Sequence, residues 1–178
     1  MADSEQGVIE WSDFRILAIT PAEAKVASPA LSPDGRKLSV LIEGLTARID
    51  IATVPSAVSI LVGSISPKVP SGIALSALRA DFRGQAILTN GARATIQLGL
   101  GRSIDGQTLT SLIPGGEDNV EIVRSLYSPV EATLPNPESG EVTYGAITIS
   151  IVVTVASTGP ESTVLVEFDS VDLELWTR

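Results

Sequence analysis

Most enzymatic nucleophiles, general bases and transition-metal sites are built on histidine or cysteine, and this chain of 178 residues contains neither. A Ser-His-Asp triad, a Cys-His pair and the common zinc sites are thereby excluded. A Ser-Lys hydrolase needs a lysine three positions after a serine, and none of Lys25, Lys37 and Lys68 has that spacing. Gly99-Leu100-Gly101-Arg102-Ser103 lacks the third glycine, the lysine and the following helix of a phosphate loop. Carboxylates remain. A pair of them suffices for glycoside hydrolysis, but among 21 Asp and Glu no spacing singles out two. Calcium takes carboxylate and carbonyl oxygens, and the denser acidic patches are Glu117-Asp118-Asn119 with Glu121, and Asp169 with Asp172. Neither has the D-x-D-x-D-G spacing of a calcium loop, and a solvated acidic surface accounts for both. No cofactor is expected, calcium being a better candidate for these residue types than a transition metal.

One charged segment has a period. In Arg79-Ala80-Asp81-Phe82-Arg83-Gly84, alternation places Arg79, Asp81 and Arg83 on one face of a strand and Ala80 and Phe82 on the other. Ion pairing along an exposed strand explains such a ladder, at about 0 to 1 kcal/mol per pair. An arginine fork for a carboxylate or phosphate is the functional alternative.

The elements that must position these residues are strands. Ile147, Ile149, Ile151, Val153 and Val155 alternate with Thr148, Ser150, Val152 and Thr154, which predicts a central strand. Turn residues at Thr158–Ser162 then predict a hairpin to the segment Thr163–Trp176. There the apolar phase slips from Val164, Val166 and Phe168 to Val171, Leu173 and Leu175, so a bulge is expected near Asp169-Ser170. Asn90-Gly91 predicts a second hairpin, and Ser32-Pro33-Asp34-Gly35 a third. Further strands are expected at Val8–Thr20, Leu45–Ala52, Val58–Ile65 and Ile73–Phe82. An all-β fold follows, a β-sandwich or jelly roll of about eight to ten antiparallel strands. Residues 1–7 are expected as a flexible N-terminal segment, and residues 8–178 as a single sandwich domain.

Ser103–Pro137 breaks the rhythm with Gly106, Pro114-Gly115-Gly116, Pro129, Pro135 and Pro137. It is expected as a long loop insertion, with one strand or short helix at Asn119–Leu126, and long loops on rigid sandwiches commonly carry function. The candidate binding residues are therefore Glu117, Asp118 and Glu121 of this segment, with Arg79, Asp81 and Arg83 of the neighbouring strand.

A net charge of −9, and nine arginines scattered without a basic stripe, argue against nucleic acid as a partner. The longest apolar run, Gly145–Ala156, is too short and too polar for a transmembrane segment. Met1–Gly7 has no basic region followed by an apolar core, so no signal peptide is read there.

Leu31-Ser32-Pro33-Asp34-Gly35-Arg36-Lys37-Leu38-Ser39-Val40-Leu41 resembles the "SPDG, then alternating strand" element of an uncharacterised family of small secreted proteins, a domain of unknown function. Pro70-Ser71-Gly72, Asp81-Phe82-Arg83-Gly84-Gln85-Ala86 and Gly91-Ala92-Arg93-Ala94-Thr95 are similar to its "P-x-G … D-[YF]-R-G-x-A … G-x-x-A-T" core, and Val164–Leu175 to its last strand. The resemblance implies secretion or a cell-surface location and an all-β fold, but no activity. That family carries cysteines near its first and last strands, which this chain does not.

The function expected from these readings is a non-enzymatic, exported binding or interaction module for an unknown protein or other ligand. The alternative is a structural subunit that self-assembles through strand edges or outward apolar residues such as Leu17, Ile19, Leu41 and Val152. A carboxylate-dependent glycoside hydrolase is the third reading.

Overall fold

The computed structural model describes residues 7–50, 56–89, 91–101, 106–129, 142–157 and 162–177, the side chains of 50, 117, 118 and 143 excepted. The expected N-terminal segment lies, but for residue 7, outside the described residues. Among the described residues fourteen strands follow one another. They are β1 (Glu10–Trp11), β2 (Arg15–Thr20), β3 (Lys25–Val26), β4 (Ala30–Leu31), β5 (Lys37–Asp50), β6 (Ser56–Ile65) and β7 (Pro67–Val69). Then come β8 (Leu75–Leu88), β9 (Ala92–Gly101), β10 (Gln107–Pro114), β11 (Glu117–Pro129), β12 (Val142–Thr143), β13 (Ile147–Ser157) and β14 (Thr163–Thr177).

Alternation sorts each long strand into a core face and an outer face. In β13 the five residues Ile147 to Val155 at odd positions are buried, and in β9 Ala94, Ile96, Leu98 and Leu100 are buried. Every strand with one apolar face must cover it, and here two antiparallel sheets cover each other as a sandwich. One sheet has the order β10-β9-β13-β6-β2, the other β11-β8-β14-β5-β3 with β4 paired to β5. Core residues from both, including Phe82 and Phe168 from one and Leu61, Ile96 and Ile151 from the other, form one buried cluster. A small third sheet, β1-β7-β12, is tied in by side chains: the Trp11 indole donates to the Gly35 carbonyl at 2.7 Å, and the Tyr144 hydroxyl accepts from the Leu75 N–H at 3.1 Å. Among the described residues no helix is long and apolar enough to cross a membrane.

The bulge lies where the phase slip put it. Phe168 faces Gly84 of β8 while Ser170 faces Arg83, leaving Asp169 without a register partner. Val164, Val166 and Phe168 before it and Val171, Leu173 and Leu175 after it are thus all buried. Gly84 is required there, because a Cβ would lie 2.2 Å from the Glu167 carbonyl oxygen. The Ser32–Gly35 turn also forms a hairpin, β4 pairing with β5 through Ala30↔Ser39 and Leu31↔Leu38.

Two expected hairpins do not form. β13 lies at the centre of the five-stranded sheet, as its alternation predicts, but β14 lies in the other sheet. Gly91, with φ of 79°, likewise leads from β8 in one sheet to β9 in the other, Asn90 itself lying outside the described residues. Period two states which face of a strand is buried and is identical for a hairpin and for an arch between sheets, so it could not decide the partners. The expected loop is corrected too, except that Asn119–Leu126, read as a strand or short helix, is a strand within β11. Residues 107–114 and 117–129 are the edge strands β10 and β11, paired along their lengths with β9 and β8. The remaining parts of that segment, 103–105 and 130–137, lie outside the described residues.

Candidate functional site

The outer face of the six-stranded sheet brings charged, hydroxyl and aromatic side chains into rows, because residues directly opposite on neighbouring strands share a face. One row runs Tyr127–Arg79–Glu174–Lys37 across β11, β8, β14 and β5, and the next runs Ser125–Asp81–Asp172–Ser39. The rows are held together by charge. Arg79 Nε donates to Asp81 Oδ1 at 2.9 Å, Arg83 Nε lies 3.1 Å from Asp172 Oδ2, and Lys37 Nζ lies 3.3 Å from Glu174 Oε1. Hydroxyls complete the carboxylates: Ser39 Oγ donates to Asp172 at 2.6 Å, and Ser125 Oγ donates to Asp81. Asp81, through this hydrogen bond and its charge, holds the Arg79 guanidinium protonated beyond its ordinary range.

At the end of the rows stands an aromatic corner. The Tyr127 and Trp176 rings meet edge to face with centroids 5.7 Å apart, and the Arg79 guanidinium lies 5.8 Å from the Tyr127 ring centroid. Ala77, opposite Trp176 on the intervening strand, leaves the two rings room to meet. Tyr127 is 41% and Trp176 43% exposed, whereas Phe82, Phe168 and Tyr144 are buried in the core and Trp11 and Phe14 pack against it. Two of the seven aromatics are therefore presented to solvent, and they are side by side.

Open depressions flank the rows. One of about 440 Å³ is lined by Asp34, Arg36, Lys37, Ser76, Glu174 and Trp176. Its rim is set by the Ser32–Gly35 turn, where hydrogen bonds from the Ser32 hydroxyl and the Arg36 N–H lower the Asp34 pKa. The other, of about 570 Å³, lies at the bulge and is lined by Arg83, Gln85, Glu121, Asp169 and Ser170. Burial, and then the charge of Glu167, push the Asp169 carboxyl above its usual range.

Of the residues expected to bind, Arg79 and Asp81 lie in the rows, Arg83 is ion-paired to Asp172 of the second row, and Arg83 and Glu121 line the bulge depression. The side chains of Glu117 and Asp118 are outside the described residues. Among the described residues no group of three or more acidic side chains gathers as a metal cage would need.

No protein-family model and no curated protein matches the chain. The solved structures to which the chain is similar include two at low identity. One is TmCBM61 in complex with β-1,4-galactotriose, at 14% identity over 93% of this chain and 88% of that one, with a TM-score of 0.31. The other is the bacteriophage CBA120 tailspike protein 4 enzymatically active domain, at 12% identity over 93% of this chain and 19% of that one, with a TM-score of 0.25.

Tyr127, Glu174 and Trp176 are functional candidates that the sequence did not single out. Asp172, Glu174 and Trp176 are the outward complement of Val171, Leu173 and Leu175, so their common face was legible. Their meeting with Tyr127 depends on β11 and β14 flanking β8, which no local pattern encodes.

Proposed function

We propose that this protein is a non-enzymatic binding module that takes a neutral oligosaccharide on the outer face of its six-stranded sheet. The exposed Tyr127–Trp176 corner beside a self-neutralised row of charges supports this reading. Lys37, Arg79 and Arg83 are matched by Glu174, Asp81 and Asp172, so the rows attract neither anions nor cations strongly yet offer many donors and acceptors. A polyhydroxylated ring has the complementary chemistry: apolar C–H faces for an indole or phenol, and hydroxyls for carboxylates and guanidinium groups.

Isothermal titration with a panel of short neutral oligosaccharides tests the proposal. One class should bind, and Trp176→Ala should weaken it about thirtyfold, the effect of an aromatic anchor worth about 2 kcal/mol. Binding that is indifferent to both Trp176→Ala and Tyr127→Ala would refute it. Asp81 and Asp172 face each other across β8 and β14, but each is already bound by an arginine and a serine on an open face. Turnover of the same oligosaccharides that disappeared in Asp81→Asn would replace the binding reading with a hydrolase.

A further inference from the structure

The outer face of the other sheet has the opposite composition. No Asp or Glu occurs anywhere in β2, β6, β9, β10 or β13, although the chain has 21 of them. Their outward residues form uncharged rows in register. One runs Thr108–Gly99–Ser150–Val62–Ala18, the next Thr110–Gln97–Val152–Ile60–Thr20, and a third Leu112–Thr95–Thr154–Val58. Leu112 is 67% and Val58 45% exposed. The only charged residues of these five strands, Arg15 and Arg93, pair in register with Ser64 and Ala156, beyond the three rows.

We propose that two copies of this chain form a dimer by packing the outer faces of their five-stranded sheets against each other. Charge selects the face. Two molecules that each carry −9 repel over most orientations, and this is the sheet on which contact brings no carboxylate against another. Size agrees as well: five strands of six to eleven residues, about 4.8 Å apart and rising about 3.3 Å per residue, present about 700 Å², close to the share of about 800 Å² that each partner contributes to a standard interface. Threonine, valine and isoleucine on a sheet surface are suited to face-to-face packing between sheets. The dimer leaves the Tyr127–Trp176 corners on its two outer sides, whether or not that face binds sugar.

Sedimentation velocity and light scattering between roughly 1 and 100 μM, the concentrations at which interfaces of this size begin to assemble, should show a mass of twice 18.5 kDa. Val152→Asp at the centre of the middle row should weaken the dimer at least about a hundredfold, because each copy would bury an unpaired carboxylate. Gln97→Glu, nearly isosteric and already exposed, should weaken it about tenfold or more and serves where Val152→Asp fails to fold by circular dichroism. Leu41→Asp, the mirror change on the other sheet, should leave assembly unchanged. A mass of 18.5 kDa at every concentration would overturn the proposal. So would a dimer indifferent to Val152→Asp and Gln97→Glu, or one lost in Leu41→Asp.

Discussion

The two sheets of the sandwich share a core and an alternation, yet their outer faces were built under different demands. Every Asp and Glu of the two large sheets lies in the six-stranded one, where Asp81, Asp172 and Glu174 interlock with Arg79, Arg83 and Lys37. The five-stranded sheet replaces them with threonine, serine, glutamine and valine. Stability does not explain the contrast, because exposed ion pairs contribute about 0 to 1 kcal/mol each and the uncharged face folds without them. The difference lies in composition: one face arranges charged and hydrogen-bonding groups around two aromatics, the other carries no carboxylate, the group costliest to desolvate unpaired.

The largest effect expected from this comparison comes from a glycine in each sheet. A Cβ at Gly84 would lie 2.2 Å from the Glu167 carbonyl, and one at Gly99 would lie 2.3 Å from the Ser150 hydroxyl. Backbone cannot yield, whereas a hydroxyl can rotate. Gly84→Ala should cost about 3 kcal/mol in urea denaturation by forcing the bulge apart, and Gly99→Ala less than about 1 kcal/mol. Equal losses would mean that the bulge is not what holds β14 in its two phases.

That bulge also marks how far the sequence was legible. The phase slip at Asp169 announced it, and the alternation of Ile147 to Val155 announced a central strand. The edge strands were only partly legible, through the strand-or-helix reading of Asn119–Leu126, and for a physical reason. On the face of β11 that carries the buried Ile122 and Leu126 stand Arg124 and Ser128, polar residues that break the pattern, and β10 and β11 both end in proline. Arg124 Nε reaches Ser111 Oγ of β10 at 3.4 Å, so an inward charge spans the two edges and discourages further strand addition there. The candidate site was half legible: Arg79, Asp81 and Arg83 share a strand, but the corner that completes them joins residues from opposite sides of β8.

Smaller effects belong to the charged rows. Arg83→Ala, which frees one oxygen of Asp172 while Ser39 keeps the other, should lower stability by no more than about 1 kcal/mol, a loss that salt should diminish. A cost of several kcal/mol would make the rows structural and would remove the argument that they exist for a ligand.

The smallest effect is a pH dependence at the bulge. Because the folded Asp169 has a pKa above its ordinary 3.8, its ionised form is disfavoured by folding, so its cost appears as pH rises from 3.8 through the raised value and is absent below. Asp169→Asn should therefore raise the melting temperature slightly at neutral pH and leave it unchanged well below pH 3.8. Asp34, with its lowered pKa, runs the other way: its stabilisation is present above 3.8 and is lost as pH falls through the folded value. An Asp169→Asn gain that persisted in acid would place its origin in packing rather than charge.

The most direct test of the division of labour is to follow backbone amide NMR shifts while titrating the oligosaccharide that binds best. Shifts should concentrate at Ala77, Arg79, Tyr127, Glu174 and Trp176, with β9 and β13 unaffected. Shifts concentrated on Gln97, Val152 and Thr154 instead, or none anywhere with the full panel at saturating concentration, would contradict the assignment of recognition to the six-stranded sheet.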